Sequence, residues 1–358
     1  MKRLFTFFAA LICVVFVAQA QSTQPLPKMF AHRGCWSKIV PENSIHGVAR
    51  AARHGYMGIE CDVKKTSDGK LVIMHDRTIN RTCRNSDYSK ISGKVAVGNL
   101  TFNELRNNYV LASSNPEYRT QVPTLEEILK ECKKYNLTPM LHSKHVESYR
   151  LAQKIMGNNW VCFTNDVEAI KECRKLSKCL ILYAINAKTA DSAFELLPEL
   201  GGKVGVSSME REALTRERIA KFRALGYEVQ SSIYLAPREA YVVRDGASII
   251  LSDFSLMPDP NNNPAKVVTV DPQTLAQGST LKFAADGKVK DGGVAIEIEF
   301  EGVMEIAFDK KTAFYTLYNN GSHCDRVGRR FINGVGSVAL HGVEECKIKS
   351  AKIYFYEF

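Results

Sequence analysis

Gly58-Ile59-Glu60-Cys61-Asp62-Val63 is a short apolar-flanked run that carries two acids two positions apart. Strand side chains alternate between faces, so Glu60 and Asp62 share one face and Cys61 takes the other as a small buried hydrophobe. Similar short apolar runs recur at Met29-Phe30-Ala31, Pro139-Met140-Leu141, Trp160-Val161-Cys162-Phe163 and residues 179–185, 203–206, 227–229 and 248–251. Between them lie stretches of helical character at 44–54, 124–135, 147–156, 166–176, 189–200, 215–225 and 237–244; Glu126, Glu127 and Lys130 form the polar face of the second. Eight strand-helix units, the last lacking its helix, predict an α/β fold: a closed parallel TIM (β/α)8 barrel.

On such a barrel the active site is built from the C-terminal ends of strands and the loops after them. His32, Glu60, His142 and Asp253 all fall at or just after strand runs, and the segments Ala31-His32-Arg33-Gly34, Pro41-Glu42-Asn43-Ser44 and Met74-His75-Asp76 surround the Glu60 strand in sequence. Two converging carboxylates suit a hard divalent cation. A guanidinium clamps phosphate oxygens and imidazole moves protons near neutral pH, so this set of groups points to cleavage of a phosphate diester.

His-Arg-Gly, Pro-Glu-Asn-Ser, Glu-x-Asp and His-Asp, in this order and at these intervals, resemble the glycerophosphodiester phosphodiesterase family, whose barrel is of the phospholipase C-like type. The likeness continues through Asn99-Leu100-Thr101-Phe102-Asn103-Glu104-Leu105 and Val122-Pro123-Thr124-Leu125-Glu126-Glu127 to Ser252-Asp253, and so covers about residues 28–258. It implies that His32 and His75 are the acid-base pair, that Arg33 and Lys144 hold the phosphate, and that Glu60, Asp62 and Glu42 bind or support one divalent cation. Asp76 could orient a histidine or cap the next turn. Where the family usually has Glu-x-Lys at the end of the third strand, this chain has His142-Ser143-Lys144. His142 therefore stands at a ligand position with a softer nitrogen donor, which leaves Mg2+, Ca2+, Mn2+ and Zn2+ all open. Late in the barrel, Val229-Gln230-Ser231-Ser232 replaces a usual aromatic residue, so the substrate alcohol could differ from glycerol. Residues 77–121 are too many for an ordinary strand-helix loop and resemble the family's insertion over the barrel mouth, with Tyr88, Tyr109 and Tyr118 as candidates for the leaving-group pocket.

The ends of the chain read differently. Lys2 and Arg3 precede an apolar run that ends at Ala18-Gln19-Ala20, which predicts a signal peptide over residues 1–20, export to the periplasm or outside the cell, and no transmembrane segment once it is removed. The barrel is assigned to 21–258, a Pro/Asn-rich linker to 259–264, and a small all-β sandwich to 265–358, where Val294-Ala295-Ile296-Glu297-Ile298-Glu299-Phe300 alternates with period two. Such a module suggests contact with a glycan or cell surface, or a purely positional role. The formal net charge of +10 comes from scattered basic residues without aromatic interleaving, so no nucleic-acid partner is expected. Nine cysteines follow the signal segment, an odd number for an oxidising compartment, so at least one is free or paired between chains; Cys324 and Cys346, the only two of the C-terminal segment, are expected to pair, and a Cys173–Cys179 bridge is left open. The expected partner is a small phosphodiester. The alternative reading is a secreted binding protein that keeps the pocket without turnover.

Overall fold

The computed structural model describes residues 26–37, 39–233, 242, 245–253, 263–287, 289–308, 313–334 and 336–357. The signal segment, nearly all of the helix expected at 237–244 and most of the 259–264 linker lie outside the described residues. In chain order the first half runs β1 (Lys28–Ala31), α1 (Ile45–Arg53), β2 (Gly58–Lys65), β3 (Leu71–Ile73), β4 (Cys83–Asn85), α2 (Phe102–Asn108), β5 (Tyr109–Leu111), α3 (Leu125–Lys134), β6 (Thr138–His142), α4 (Val146–Met156), β7 (Val161–Thr164) and α5 (Val167–Leu176). It continues with β8 (Leu180–Ala184), α6 (Ala193–Leu200), β9 (Val204–Ser208), α7 (Arg216–Ala224), β10 (Glu228–Ile233) and β11 (Ile249–Ser252).

Eight of these strands form a closed parallel ring, β1-β11-β10-β9-β8-β7-β6-β2, because β1 pairs with both β11 and β2. The eight predicted strands are these eight. Alternation sorts their side chains: Ile59, Cys61 and Val63 pack outward with Leu125, Ile128 and Leu141, while Phe30, Met140, Val161, Leu182, Ile249 and Leu251 make a separate inner cluster. Gly58 is needed where β2 passes β6, since a Cβ there would lie 2.2 Å from the Thr138 carbonyl oxygen and 2.4 Å from the Phe30 ring. Five of the described helices, α1, α2, α3, α5 and α7, start on side-chain caps. Thr124 and Glu127 form a reciprocal capping box at α3, an arrangement whose loss typically costs about 1 kcal/mol.

The insertion folds on its own small core of Val72, Met74, Ile79, Cys83, Val97, Leu105, Leu111 and Val122, with β4 paired to β5. It is fastened to the loop after β1, where Ser113 Oγ donates to the Ile39 carbonyl at 2.6 Å. Tyr88 bonds the Ser113 backbone, and Tyr118 packs on His46. Neither they nor Tyr109 line the cleft described below, which corrects the expectation for these three rings: Tyr88 and Tyr109 brace the insertion, and Tyr118 packs it onto α1.

The C-terminal domain is all β: β12 (Lys266–Val270), β13 (Gln273–Leu275), β14 (Thr280–Ala284), β15 (Val289–Phe308), β16 (Ala313–Asn320), β17 (Asp325–Gly334), β18 (Ser337–Gly342) and β19 (Cys346–Glu357). Every pairing is antiparallel, and β15 joins the two halves: its first part lies between β17 and β19, its second between β16 and β18. The change of partners follows a register shift at Glu299/Phe300 and Gly302 at φ +113°. Val294, Ile296, Ile298, Phe300, Met304 and Ile306 all face one core. Among the described residues all nine cysteines are free. The pairing guessed for Cys324 and Cys346 is not formed: Cys346 Sγ points at the Val303 carbonyl, 2.9 Å away, and Cys324 Sγ at that of Asp325. Cys173 and Cys179 are neighbours with sulfurs 3.8 Å apart but unbonded. No helix among the described residues is long and apolar enough to cross a membrane.

Candidate active site

A cleft of about 550 Å³ opens among the C-terminal ends of the barrel strands. His32 and Arg33 enter it from the end of β1, Glu60 and Asp62 from β2, His75 from the loop after β3, and His142 from the end of β6. Two tight turns set this up. Arg33 and Asn43 have positive φ, 52° and 54°, a region that non-glycine residues adopt only when their surroundings hold them there. Those surroundings are explicit. The Asn43 amide N–H donates to the Arg33 carbonyl at 2.7 Å, and the Arg33 N–H donates to Glu60 Oε2 at 3.0 Å. The Asn43 side chain meanwhile brackets Asp62, donating to Oδ2 at 3.1 Å and accepting from its backbone N–H at 3.3 Å.

Glu60, Asp62 and His142 each offer a ligand atom within 4.8 Å of one another. His142 Nδ1 lies 3.1 Å from Asp62 Oδ1 and 3.9 Å from Glu60 Oε1, and its ring packs against Phe163. Both carboxylates are buried while His142 is 47% exposed, so the cluster is open to the cleft on the imidazole side. Burial, then the neighbouring Asp62, pushes Glu60 well above the usual carboxylate range. Burial also works against ionised Asp62, but hydrogen bonds and charge from His142, with His75 and Asn43, bring it down to about 2. Two buried carboxylates this close disfavour one another's ionisation, so the pair is a place where added positive charge is welcome. Two oxygen donors and one imidazole fit a divalent cation.

Each histidine of the expected acid-base pair is backed by a carboxylate. His32 Nδ1 lies 2.7 Å from Asp253 Oδ1, which also accepts from Trp36 Nε1 at 2.7 Å. His75 Nδ1 lies 2.7 Å from Asp76 Oδ1, so Asp76 orients the histidine. Asp76 in turn is held far below the usual carboxylate range, first by the Arg81 guanidinium and then by His75, with burial opposing. Arg81 also grips Glu42 with both terminal nitrogens, at 2.7 and 2.8 Å, and Arg33 Nη1 adds a contact at 3.2 Å. Glu42 therefore sits between two arginines and apart from the three clustered ligands. Arg33 Nε is a buried N–H with no hydrogen-bond partner, although it lies 3.8 Å from Asp62 Oδ2. Lys144 is exposed in the loop after β6 and does not line the cleft.

The structure brings His32, Arg33, Glu60, Asp62, His75 and His142 to one cleft; sequence reasoning gave no role to Arg81, Trp36 or Asp253. Asp253 carried a signal, lying just past a strand run. Arg81, inside the insertion, carried none.

The family model for the glycerophosphoryl diester phosphodiesterase family matches residues 32–231. Over 146 residues the chain is 39% identical to glycerophosphodiester phosphodiesterase 1 of Mus musculus, a match covering 37% of this chain and 41% of that protein. Over 106 residues it is 35% identical to a glycerophosphodiester phosphodiesterase of Bacillus altitudinis, covering 29% of this chain and 40% of that one. The chain thus spans about two fifths of the length of these curated relatives. In fold it resembles a phosphodiesterase of Oleispira antarctica solved with the product sn-glycerol-3-phosphate, with TM-score 0.53 and 21% identity over 64% of this chain and 93% of that one. A glycerophosphodiester phosphodiesterase of Agrobacterium tumefaciens aligns with TM-score 0.51 and 18% identity over 64% of this chain and 96% of its own. The match over 32–231 takes in more than half of the residues and runs through both histidine motifs and the paired acids; the chain belongs to the glycerophosphoryl diester phosphodiesterase family.

Proposed function

We propose that the protein is an exported, metal-dependent phosphodiesterase that splits a small glycerophosphodiester-like diester into an alcohol and a phosphomonoester. The observation that carries this reading is the pair of carboxylate-backed histidines, His32 with Asp253 and His75 with Asp76, lining one cleft with Arg33. With Nδ1 bonded to a carboxylate, the proton-transfer atom of each ring is Nε2. One ring takes the proton from the attacking oxygen, either water or a neighbouring hydroxyl of the substrate, as that oxygen bonds to phosphorus. The other gives a proton to the departing alkoxide as its bond to phosphorus breaks, since an unprotonated alkoxide leaves poorly.

Arg33 holds a non-bridging phosphate oxygen, and its unpartnered Nε–H supports that role. Lys144 is proposed as a second phosphate contact on the strength of the family motif. Glu60, Asp62 and His142 would hold the divalent cation, with Glu42 supporting them through Arg33. When bound, the cation supplies Lewis-acid polarisation of the phosphate. The rest of the lining mixes hydroxyls of Ser207, Ser208 and Ser232 with Phe163, Ile185 and Met209, a surface suited to a small polyol with an apolar edge. Export rests on the basic start and apolar run that ends at Ala18-Gln19-Ala20.

The test is release of free alcohol and glycerol 3-phosphate from glycerophosphodiesters by purified protein supplied with Mg2+, Ca2+, Mn2+ or Zn2+. Folded protein that turns over no diester with any of the four metals sinks the proposal and leaves the binding-protein reading. N-terminal sequencing of protein recovered from outside the cytoplasm tests the export: a chain beginning at Met1 would count against it.

A further inference from the structure

Among the described residues, the C-terminal domain reaches the barrel through Arg330. Arg330 of β17 is 5% exposed, and its guanidinium lies behind the loop that follows β1. Nη1 contacts Cys35 Sγ and lies 3.2 Å from His54 Nδ1. Nη2 donates to the Trp36 carbonyl at 3.3 Å and to the Asp253 carbonyl at 3.2 Å. Trp36 and Asp253 are also the two residues whose side chains meet at the oxygen that holds His32. We infer that Arg330 is a positioning residue for the active site, tying the loop after β1 to the loop after β11 so that Trp36 and Asp253 fix the plane and tautomer of His32. The inference rests on the proposed role of His32 and extends it to the second domain.

Three features favour this over simple stapling of one domain to the other. A domain staple could be made by exposed ion pairs, whereas burying a guanidinium is unfavourable unless its donors are met. Arg330 directs Nη2 to the backbones of two loops that are far apart in sequence while Nη1 is anchored on Cys35 and His54, and a planar fork fixes direction in a way that a flexible ammonium cannot. Its charge is also answered locally. Burial alone would push the Cys35 thiol up, but Arg330, with His54 and Arg50, draws it down to about 7.

The experiment combines steady-state kinetics with amide and indole NMR of the full chain. The two tryptophans give two indole N–H resonances, assigned with Trp36→Phe; that of Trp36 reports the bond to Asp253, and that of Trp160, bonded to the Gly157 carbonyl, is the internal control. Arg330→Ala is expected to lower kcat by about 10- to 100-fold with KM changed less than about threefold, because small misplacements of reacting groups cost up to about 10²-fold. The Trp36 indole resonance is expected to move while that of Trp160 stays. Unchanged kcat, or a lowered kcat with the Trp36 resonance in place, overturns the proposal. If Arg330→Ala does not fold, Arg330→Lys carries the same readouts, since one ammonium cannot meet the carbonyls at Nη2 and the Cys35 and His54 side chains at Nη1 together; wild-type kcat and resonance in that variant overturn it equally. Should the wild type turn over no diester, the proposed function fails, and the Trp36 resonance alone still decides whether Arg330 holds this corner.

Discussion

Changing Asp253 to Asn keeps the shape of the side chain and removes its charge. Trp36 Nε1 donates to the same Asp253 oxygen that holds His32, at 2.7 Å, so the amide is kept with its oxygen toward the ring and the tautomer is preserved. What is lost is the attraction between carboxylate and imidazolium when His32 carries its extra proton. His32 and Asp253 side chains are only 12% and 14% exposed, so solvent screens them weakly. A close ion pair in such a place is worth about 4 kcal/mol at an effective dielectric of about 20. At about 1.4 kcal/mol per factor of ten this sets a ceiling near 10³-fold on the rate, and the remaining hydrogen bond returns part of it. The expected fall in kcat for Asp253→Asn is therefore about 10²- to 10³-fold. It is read from alcohol release at saturating substrate, with circular dichroism and thermal unfolding to show an intact fold. A fall of less than about threefold would refute the reasoning, because His32 would then not gain charge during the reaction.

His32→Ala and His75→Ala should each lower the rate by about 100-fold or more without unfolding the protein, the usual range for general acid-base groups; wild-type rates in both would remove them from catalysis. Arg33→Ala and Lys144→Ala should both weaken inhibition by inorganic phosphate. The effect of Arg33 should be the larger, since it lines the cleft while Lys144 is exposed, and unaltered inhibition in the double variant would argue against a phosphate-centred site. Calorimetry with metal alone should find Mn2+ or Zn2+ bound more tightly than Ca2+, with His142→Glu reversing the order; the same order in both proteins would mean that His142 is not a ligand. Because burial and Asp62 favour the protonated form of Glu60, metal and proton compete there, so affinity should fall and proton release on binding should grow as pH is lowered. Equal binding heats in buffers of different ionisation enthalpy would contradict this.

The barrel was readable because its signals are local. Eight short apolar runs need only their own composition to be seen, and the parity of Glu60, Cys61 and Asp62 follows from the strand repeat. The ligand cluster was readable because two of its members share a strand and the third, His142, ends the strand that pairs with it, opposite Asp62 in register. What could not be read were contacts between distant segments made by common surface residues. Arg81 looks like any loop arginine until Glu42 and Asp76 come to it, and with Arg33 it surrounds Glu42 with two guanidinium groups beside the Glu60, Asp62 and His142 cluster. Cys324 and Cys346 were matched by elimination, which fails when sulfur geometry decides. A glycan or cell-surface role for the C-terminal domain has no marker in its sequence beyond the domain's presence.

The ring closes between its first and last strands, and this bears on how the protein comes to life. His32 and Asp253 are 221 residues apart, and Arg330 lies 295 residues beyond Cys35. At roughly 5–20 residues per second, synthesis leaves on the order of half a minute during which β1 exists without the strand that completes its pairing. Contacts this distant also carry a large closure entropy and form slowly. His32 and the carboxylate that backs it thus come together only after β11 has been made, and during that interval the open edge of β1 is an aggregation-prone surface.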